Sequence, residues 1–140
     1  MSYLALREHS QEELRQKLVH KGFPERLVNA VIEDFRDRGL QSDVRFVEVF
    51  TRSRLAKGFG AYRIRQELCQ RGIDAGDVPE MGSLDWDHQL DQVYSRKFGG
   101  GMPASLKERA ACQRYLLWRG FSGDQIHRLF RRLRQGGSEE

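Results

Sequence analysis

The sequence predicts an all-α protein, built as an elongated tandem array of similar three-helix units. Only 3 of its 140 residues are Pro, which leaves room for long helices. No segment alternates apolar and polar residues over the length of a strand. A helical pattern that ends in a basic residue, Gly and a large apolar residue occurs three times. Units of about 45 residues bury little surface alone, so neighbouring units are expected to share core.

The repeat is defined by three aligned segments whose central leucines are Leu18, Leu68 and Leu116. These leucines lie 50 and 48 residues apart. In each segment, apolar residues occupy positions −4, 0 and +1 relative to the leucine, which forms one apolar stripe on a helix. The segments therefore predict the first helix of each of three units.

Each of these helices ends at a glycine. The endings are Lys21-Gly22-Phe23, Arg71-Gly72-Ile73 and Arg119-Gly120-Phe121. A glycine past the last turn adopts the left-handed conformation, and the next apolar residue is expected to fold back on the helix. The basic residue favours the negative end of the helix dipole. Pro24, Asp74 and Ser122 follow and suit the start of a second helix.

The first unit is predicted to span residues 10–57. Ser10 and Glu13 form a capping box at its start. Residues 1–9 precede it, and residues 3–8 resemble the end of an earlier helix. A third helix follows the cap Ser42 and covers residues 43–55.

The second unit is predicted to span residues 58–98, with a third helix over 84–98. Its middle helix is interrupted by Gly and Pro, so a short or irregular turn is expected over 74–82. The third unit, 99–140, is the basic C-terminal unit and lacks a third helix, because the chain stops after its second helix.

The charge is unevenly distributed along the chain. There are 24 basic and 20 acidic residues in total, but residues 1–98 carry 16 of each and residues 99–140 carry 8 basic and 4 acidic. A second basic block without an acid contains Arg52, Arg54, Lys57, Arg63 and Arg65. Such local charge indicates an anionic partner, although a solvated helix face gives the same pattern.

The last predicted helix, 124–134, is amphipathic. Its polar side is almost wholly cationic and its apolar side carries Ile126, Leu129, Phe130 and Leu133. The cations are Arg128, Arg131, Arg132 and Arg134. Both basic blocks are candidate binding sites, and arginine can grip either phosphates or the acidic surface of a protein.

No catalytic, cofactor or metal site is predicted. The four histidines do not pair with each other or with a cysteine at ligand spacing. Cys69 and Cys112 lie on apolar helix faces and are expected to be buried thiols, and Trp86 and Trp118 are expected in the core. No nucleophile–base pair indicates an enzyme. No apolar run reaches the length of about 18 residues that spans a bilayer, and the reducing cytosol is the expected compartment.

These patterns together resemble the RecX family, the bacterial regulators of the RecA recombinase. The resemblance covers nearly the whole chain in register with all three repeats. The matching runs are Ser10-x-x-Glu13-Leu14-x-x-Lys17-Leu18-x-x-Lys21-Gly22-Phe23, then Gly39-Leu40-x-x-Asp43-x-Arg45-Phe46, then Arg54-x-x-Lys57-Gly58-x-Gly60-x-x-x-Ile64-x-x-Glu67-Leu68-x-x-x-Gly72-Ile73, Asp85-Trp86, Lys97-Phe98 and Arg114-Tyr115-Leu116-x-x-Arg119-Gly120-Phe121.

The resemblance implies a non-enzymatic negative regulator. RecX-like proteins bind the groove of the RecA–single-stranded DNA filament and inhibit its ATPase, strand exchange and co-protease activities, in recombination, DNA repair and the SOS response. Capping of the growing filament and active disassembly both remain open as mechanisms. The expected partners are the RecA filament and single-stranded DNA, with double-stranded DNA left open, and the expected state is a monomer. A direct, sequence-nonspecific DNA-binding protein is the alternative.

Overall fold

The computed structural model describes residues 7–78 and 84–138, which form seven α-helices, one short 3-10 helix and no strand. The all-α prediction is confirmed for this part of the chain. The helices are α1 (Gln11–His20), α2 (Glu25–Asp37), α3 (Asp43–Ala56), α4 (Ala61–Gln70), α5 (Trp86–Phe98), α6 (Leu106–Arg119) and α7 (Gly123–Ser138), with the 3-10 helix at Ala75–Asp77.

The chain divides into two compact units. Unit 1 comprises residues 1–53 and 66–79, and unit 2 comprises residues 54–65 and 80–140. The divisions fall inside α3 and inside α4. These units are not the three sequence repeats, whose boundaries stay a prediction.

Unit 1 is organised around the α1–α2 pair. Leu14, Val28 and Ile32 form its buried cluster, and Leu18 and Phe35 pack against them. The capping box at the start of α1 is confirmed by hydrogen bonds in both directions between the Ser10 cap and the third helical residue. The preceding helix predicted over residues 3–8 lies largely outside the described residues, and the stretch 7–9 is not helical.

The glycine stops are confirmed. Gly22, Gly72 and Gly120 have φ values of +96°, +85° and +103°. Ile73 and Phe121 are buried behind their stops, as predicted.

Phe23 differs from these two residues, because its side chain is 51% exposed. The backbone motif is intact there, since the Phe23 N–H donates to the Leu18 carbonyl oxygen. Val28 and Ile32 of α2 already cover Leu14 of α1, which leaves Phe23 in solvent.

Unit 2 packs α5, α6 and α7 around a single core. Leu90, Leu116 and Phe130 are fully buried, one from each helix. The ring of Tyr94 meets Phe130 edge-on, with 6.4 Å between centroids, and its hydroxyl donates to the Gly101 carbonyl oxygen at 2.6 Å. This bond fixes the loop that leads from α5 to α6.

Two of the helix caps predicted from the sequence, Ser42 and Ser122, are present, whereas Asp74 precedes the 3-10 helix without a side-chain capping hydrogen bond. The Ser42 and Ser122 hydroxyls accept hydrogen bonds from backbone N–H groups in the first turns of α3 and α7. The irregular turn predicted over 74–82 is confirmed as the 3-10 helix, while residues 79–82 of that prediction lie outside the described residues.

Two predictions of buried side chains are wrong. Trp86 is buried, but Trp118 is 60% exposed. Cys112 is buried, but Cys69 is exposed. Both errors follow from helical rotation: Trp118 lies two residues after the buried Leu116, about 200° around α6, and Cys69 lies on the solvent side of its helix.

Candidate functional site

The site begins with a backbone junction in unit 2 between the start of α4 and the end of α6. The Gly60 N–H donates to the Arg119 carbonyl oxygen at 2.8 Å, and the Tyr62 N–H donates to the Gly120 carbonyl oxygen at 3.2 Å. A Cβ placed on Gly60 would lie 2.5 Å from the carbonyl carbon of Gly120. Glycine at position 60 therefore allows the two turns to touch.

This junction assembles an arginine–aromatic cluster, consisting of Phe59, Arg63, Tyr115, Trp118 and Arg119. The guanidinium of Arg63 lies 4.4 Å from the ring centroids of both Phe59 and Trp118. Its Nη1 also donates to the Trp118 carbonyl oxygen at 3.1 Å. The guanidinium of Arg119 lies 4.9 Å from the Phe59 centroid. Cation–π contacts of this kind contribute about 0.5–1 kcal/mol when exposed and about 2 kcal/mol when desolvated.

Arg119 is held in place by two hydrogen bonds. Its Nε donates to the Tyr115 hydroxyl oxygen at 2.9 Å, and its Nη1 donates to the Lys57 carbonyl oxygen at 2.8 Å. The Lys97 ammonium lies 5.2 Å from the Tyr115 ring centroid. These contacts orient cations around one aromatic ring at the ends of α5 and α6.

Next to the cluster is a cationic pocket of about 290 Å3. Its lining residues are Lys57, Gly58, Val93, Arg96, Lys97, Tyr115 and Arg119. Four of the seven are cations and none is an acid. Across residues 7–78 and 84–138, no carboxylate lies within the 4.0 Å ion-pair distance of any of the four cations. The pocket is therefore a concentration of uncompensated positive charge.

The first basic block of the sequence is distributed over several environments. Lys57 lines the cationic pocket, and Arg63 belongs to the arginine–aromatic cluster. Arg54 lies 5.5 Å from the Phe59 ring centroid. Arg52, in unit 1, and Arg65, in unit 2, are exposed.

The second basic block is partly neutralised within unit 2. Arg128 pairs with Asp87 at 3.2 Å, and Arg132 lies 2.5 Å from Asp91 and 3.9 Å from Asp87. Arg131 and Arg134 are exposed. The cationic face predicted for α7 therefore includes two arginines that are engaged by the carboxylates of α5.

The sequence reasoning missed the strongest part of the site. The sequence predicts Arg119 only as a cation that suits a helix end and Trp118 as core, and it assigns Arg96 and Lys97 no binding role. The one available signal was that Arg119 lies directly before the Gly120 stop, where chain segments meet. The convergence of these residues with Lys57 depends on the tertiary junction, which the linear sequence does not reveal.

Unit 1 contains a corresponding junction, in which a carboxylate balances the charge of the arginines. The Ser10 hydroxyl donates to the Arg71 carbonyl oxygen at 2.7 Å, and the Arg71 guanidinium lies 3.6 Å from the Glu13 carboxylate. Arg7 also pairs with Glu13 at 3.1 Å. Burial opposes ionisation of Glu13, but hydrogen bonds from Arg7 and the Ser10 N–H, with the charges of Arg7 and Arg71, hold its pKa below the ordinary value.

His9 is buried beside this junction. Its Nε2 lies 2.7 Å from the Lys17 ammonium, and its Nδ1 lies 3.0 Å from the Arg7 carbonyl oxygen. Burial, followed by the charges of Arg7 and Lys17, lowers the pKa of His9 below 6.5. A neutral ring that donates from Nδ1 and accepts at Nε2 satisfies both contacts.

Neither metal-binding nor membrane-spanning features occur in the part of the chain that the structure describes. It contains no group of three or more His, Cys, Asp or Glu side chains that could hold a metal ion. None of its helices combines the length and the apolar character needed to cross a bilayer.

Comparison with known proteins gives one consistent result. A family model described as the first three-helix domain of RecX matches residues 1–35, and a model of the second three-helix domain of RecX matches residues 42–80. The regulatory protein RecX of Pseudomonas entomophila is 41% identical over 132 residues, covering 92% of this chain and 85% of that protein. RecX of Ectopseudomonas mendocina is 40% identical over 134 residues, covering 94% and 89%.

The fold is also similar to that of a solved structure. The crystal structure of RecX from Lactobacillus salivarius superposes with a TM-score of 0.73 and covers 96% of this chain and 91% of that one. The sequence identity of that pair is 20%, so this likeness concerns the fold.

Proposed function

Because this chain belongs to the RecX family of regulatory proteins, we propose that it is a negative regulator of the RecA recombinase. In this proposal it binds in the groove of the RecA–single-stranded DNA filament and inhibits ATPase, strand exchange and co-protease activities. The observation that carries the proposal is the match to RecX regulatory proteins over more than nine tenths of the chain. The protein would act in the cytosol as a monomer, in recombination, DNA repair and the SOS response.

The chemistry of the two units supports binding to a filament of protein and DNA. Unit 1 carries 10 basic and 12 acidic residues, for a net charge of −2, whereas unit 2 carries 14 basic and 8 acidic residues, for a net charge of +6. A strongly positive unit suits the phosphate backbone of DNA. A regulator that acts by binding to the filament needs charged surface of this kind and does not need catalytic residues.

The proposal is tested by titrating the protein into RecA that hydrolyses ATP on single-stranded DNA. We expect inhibition at substoichiometric to equimolar ratios to RecA. Addition to preformed filaments and to growing filaments separates the two open mechanisms, since capping acts on growth and disassembly also acts on filaments already formed. Unchanged hydrolysis at equimolar protein in both formats would contradict the proposal.

Direct, sequence-nonspecific DNA binding is the second candidate function, and the cationic pocket favours it. It predicts affinity for DNA in the absence of RecA, with a salt slope of roughly 0.9 per phosphate contacted on duplex DNA. Salt-independent binding would count against it. The two functions are compatible, because the filament contains DNA.

A further inference from the structure

We propose that the cationic pocket of unit 2 binds a backbone phosphate of single-stranded nucleic acid, and that Trp118 stacks on a neighbouring base. The inference deepens the proposed function, on which it rests for the source of the DNA, by assigning the DNA contact to specific residues. Its chemistry depends only on the pocket, the cluster and the exposed ring.

The charge of the pocket calls for an anion. Lys57, Arg96, Lys97 and Arg119 line one concavity, and no carboxylate among the described residues approaches any of them to ion-pair distance. Like charges gathered in this way repel one another, so a bound anion is stabilised by all four. A phosphate diester can accept hydrogen bonds from several of these cations at once.

Side chains of the pocket are held in position by contacts within unit 2. Hydrogen bonds to the Tyr115 hydroxyl and the Lys57 carbonyl hold Arg119 in position before a ligand arrives. Gly58, with φ of +85°, lines the pocket without adding a side chain to it. A Cβ at that position would lie 3.0 Å from the Val93 side chain, tighter than an ordinary contact, so a larger residue there would have to displace Val93.

The exposed indole of Trp118 argues for single-stranded nucleic acid. Its ring centroid lies 6.2 Å from that of Tyr115, which lines the pocket, and 60% of the residue is exposed. Single strands present unstacked bases whose faces stack on such rings, while duplexes keep their bases stacked. A cationic groove with an adjacent aromatic ring is the usual arrangement for binding a single strand.

An acidic protein surface is the competing ligand for the same cations. It would use the positive charge of the pocket, whereas a single strand carries both an anion and a stackable base in each nucleotide and so engages the pocket and the exposed indole together. The combination of four cations and a neighbouring aromatic ring therefore favours nucleic acid, and the protein surface becomes an outcome of the test.

The first experiment measures binding of the full chain to a fluorescein-labelled oligothymidylate, without RecA, by anisotropy over a range of salt concentrations. The double variant Lys57→Glu/Arg96→Glu reverses two exposed cations of the pocket. We expect binding about tenfold weaker, the scale of removing one hydrogen bond to a charged group. The salt slope should fall by about 0.7 for each phosphate that the variant no longer neutralises.

Two further variants make this result specific. Lys107→Glu changes the net charge of unit 2 by −2, the same as the neutral pair described next and half the change of the double reversal. Lys107 lies about 18 Å from Arg119 along α6 at 1.5 Å per residue, and the variant should bind close to wild type. The neutral pair Lys57→Gln/Arg96→Gln should weaken binding in the same direction by a smaller factor. Thermal melting shows whether each variant is folded. If the charge-reversal variant does not fold, the neutral pair tests the pocket in its place.

A second readout follows tryptophan fluorescence. Trp118 is exposed and Trp86 is buried, so a base that stacks on Trp118 should quench the exposed part of the emission. Trp118→Phe should remove this quenching while anisotropy still detects the oligonucleotide.

Several results would overturn the inference. The pocket variants could bind the oligonucleotide with the affinity and salt slope of wild type, or wild type could fail to bind it. Variants that bind DNA normally but no longer inhibit RecA would place an acidic protein surface at the pocket instead. The proposed function fails separately, when wild type binds the oligonucleotide as expected but leaves RecA hydrolysis unchanged.

Discussion

The two units contain corresponding helix-end junctions, which differ in whether a carboxylate balances the charge of the arginine. In unit 1, the Arg71-Gly72 stop lies against the start of α1, where the Ser10 hydroxyl bonds the Arg71 carbonyl oxygen. The guanidinium of Arg71 pairs with Glu13, which also pairs with Arg7. The positive charge of this junction is therefore compensated by a carboxylate inside the unit.

In unit 2, the Arg119-Gly120 stop lies against the start of α4, where the Gly60 N–H bonds the Arg119 carbonyl oxygen. Alignment of the repeats places Arg63 at the position of Glu13 and Phe59 at the position of His9, each 50 residues later. Arg63 and Arg119 lie over aromatic rings, and Arg119 has no carboxylate at ion-pair distance among the described residues. Arg71 of unit 1 also lies over a ring, that of Phe50, but is paired with Glu13.

We interpret the junction of unit 1 as structural and the junction of unit 2 as a binding site. Cation–π contacts hold the guanidinium groups without cancelling their charge, whereas the ion pair with Glu13 cancels it. Unit 1 thus uses its junction to join its helices, and unit 2 uses the corresponding junction to display positive charge. Substitutions at the two junctions and at their neighbours test this difference.

The largest effect is expected from Gly120→Ala. A Cβ there would lie 2.4 Å from the Arg63 Cβ, and φ is +103°. We expect a loss of about 1–2 kcal/mol from the left-handed backbone and about 1–3 kcal/mol from overpacking in the free energy of unfolding. Gly22→Ala is the matched control, because its φ is +96° but nothing lies within 4 Å of the new Cβ. Urea denaturation that gives equal losses for the two variants would contradict the close junction.

Loss of charge compensation in unit 1 should have the next largest effect. Glu13→Gln keeps a side-chain oxygen for the capping box but removes the charge that engages Arg7 and Arg71. We expect a loss of about 1 kcal/mol in the free energy of unfolding, below the roughly 1.5–3 kcal/mol of hydrogen bonds to charged groups, because the site is partly exposed. The loss should shrink in high salt, and a loss that is independent of salt would speak against an ionic junction.

Acidification should destabilise unit 1 through His9. Because its native pKa lies below 6.5, the unfolded chain takes up a proton first as pH falls. The free energy of unfolding should therefore fall as pH decreases from about 6.5 towards the native pKa, and should be independent of this group at higher pH. Glu13 adds a loss in the same direction at lower pH.

His9→Phe places the unit 2 residue at this position and should flatten the stability profile between pH 7 and the native pKa. His20→Gln, at an exposed histidine of α1, should leave the profile unchanged. Denaturation at a series of pH values measures both, and an unaltered slope in His9→Phe would assign the pH dependence elsewhere.

The smallest effect on stability is expected from Asp87→Asn. The pairs of Asp87 with Arg128 and Arg132 are partly exposed, so their loss should lower the free energy of unfolding by about 0.2–1 kcal/mol. The same change raises the positive charge of unit 2, so oligothymidylate should bind more tightly and with a steeper salt dependence. Weaker binding would contradict this expectation and would indicate that α7 binds DNA only when Arg128 and Arg132 are held by Asp87.

Much of the fold could be predicted because local rules determine it. The capping box at Ser10, the caps Ser42 and Ser122 and the left-handed glycines depend on neighbouring residues, and the structure confirms them. The all-α class followed from the helical periodicity, the scarcity of Pro and the absence of strand-like alternation. The exposure of Phe23 could not be predicted this way, because it depends on which helix covers Leu14.

The candidate site was less predictable, because its properties depend on long-range pairing. The charge count identified Lys57 and Arg63 but could not show that Asp87 and Asp91 compensate two arginines of α7. It also could not bring Arg119 to Lys57, which is 62 positions away along the chain. Composition locates excess charge, and only tertiary contacts show which charges are already paired.

RecA ATP hydrolysis on single-stranded DNA, with wild type and Lys57→Glu/Arg96→Glu titrated side by side, tests the proposed role of the pocket most directly. We expect wild type to inhibit at or below an equimolar ratio and the pocket variant to require a higher concentration, while Lys107→Glu behaves as wild type. Equal inhibition by wild type and the pocket variant would contradict the proposed role of the pocket, and hydrolysis that wild type leaves unchanged at an equimolar ratio would contradict the proposed function.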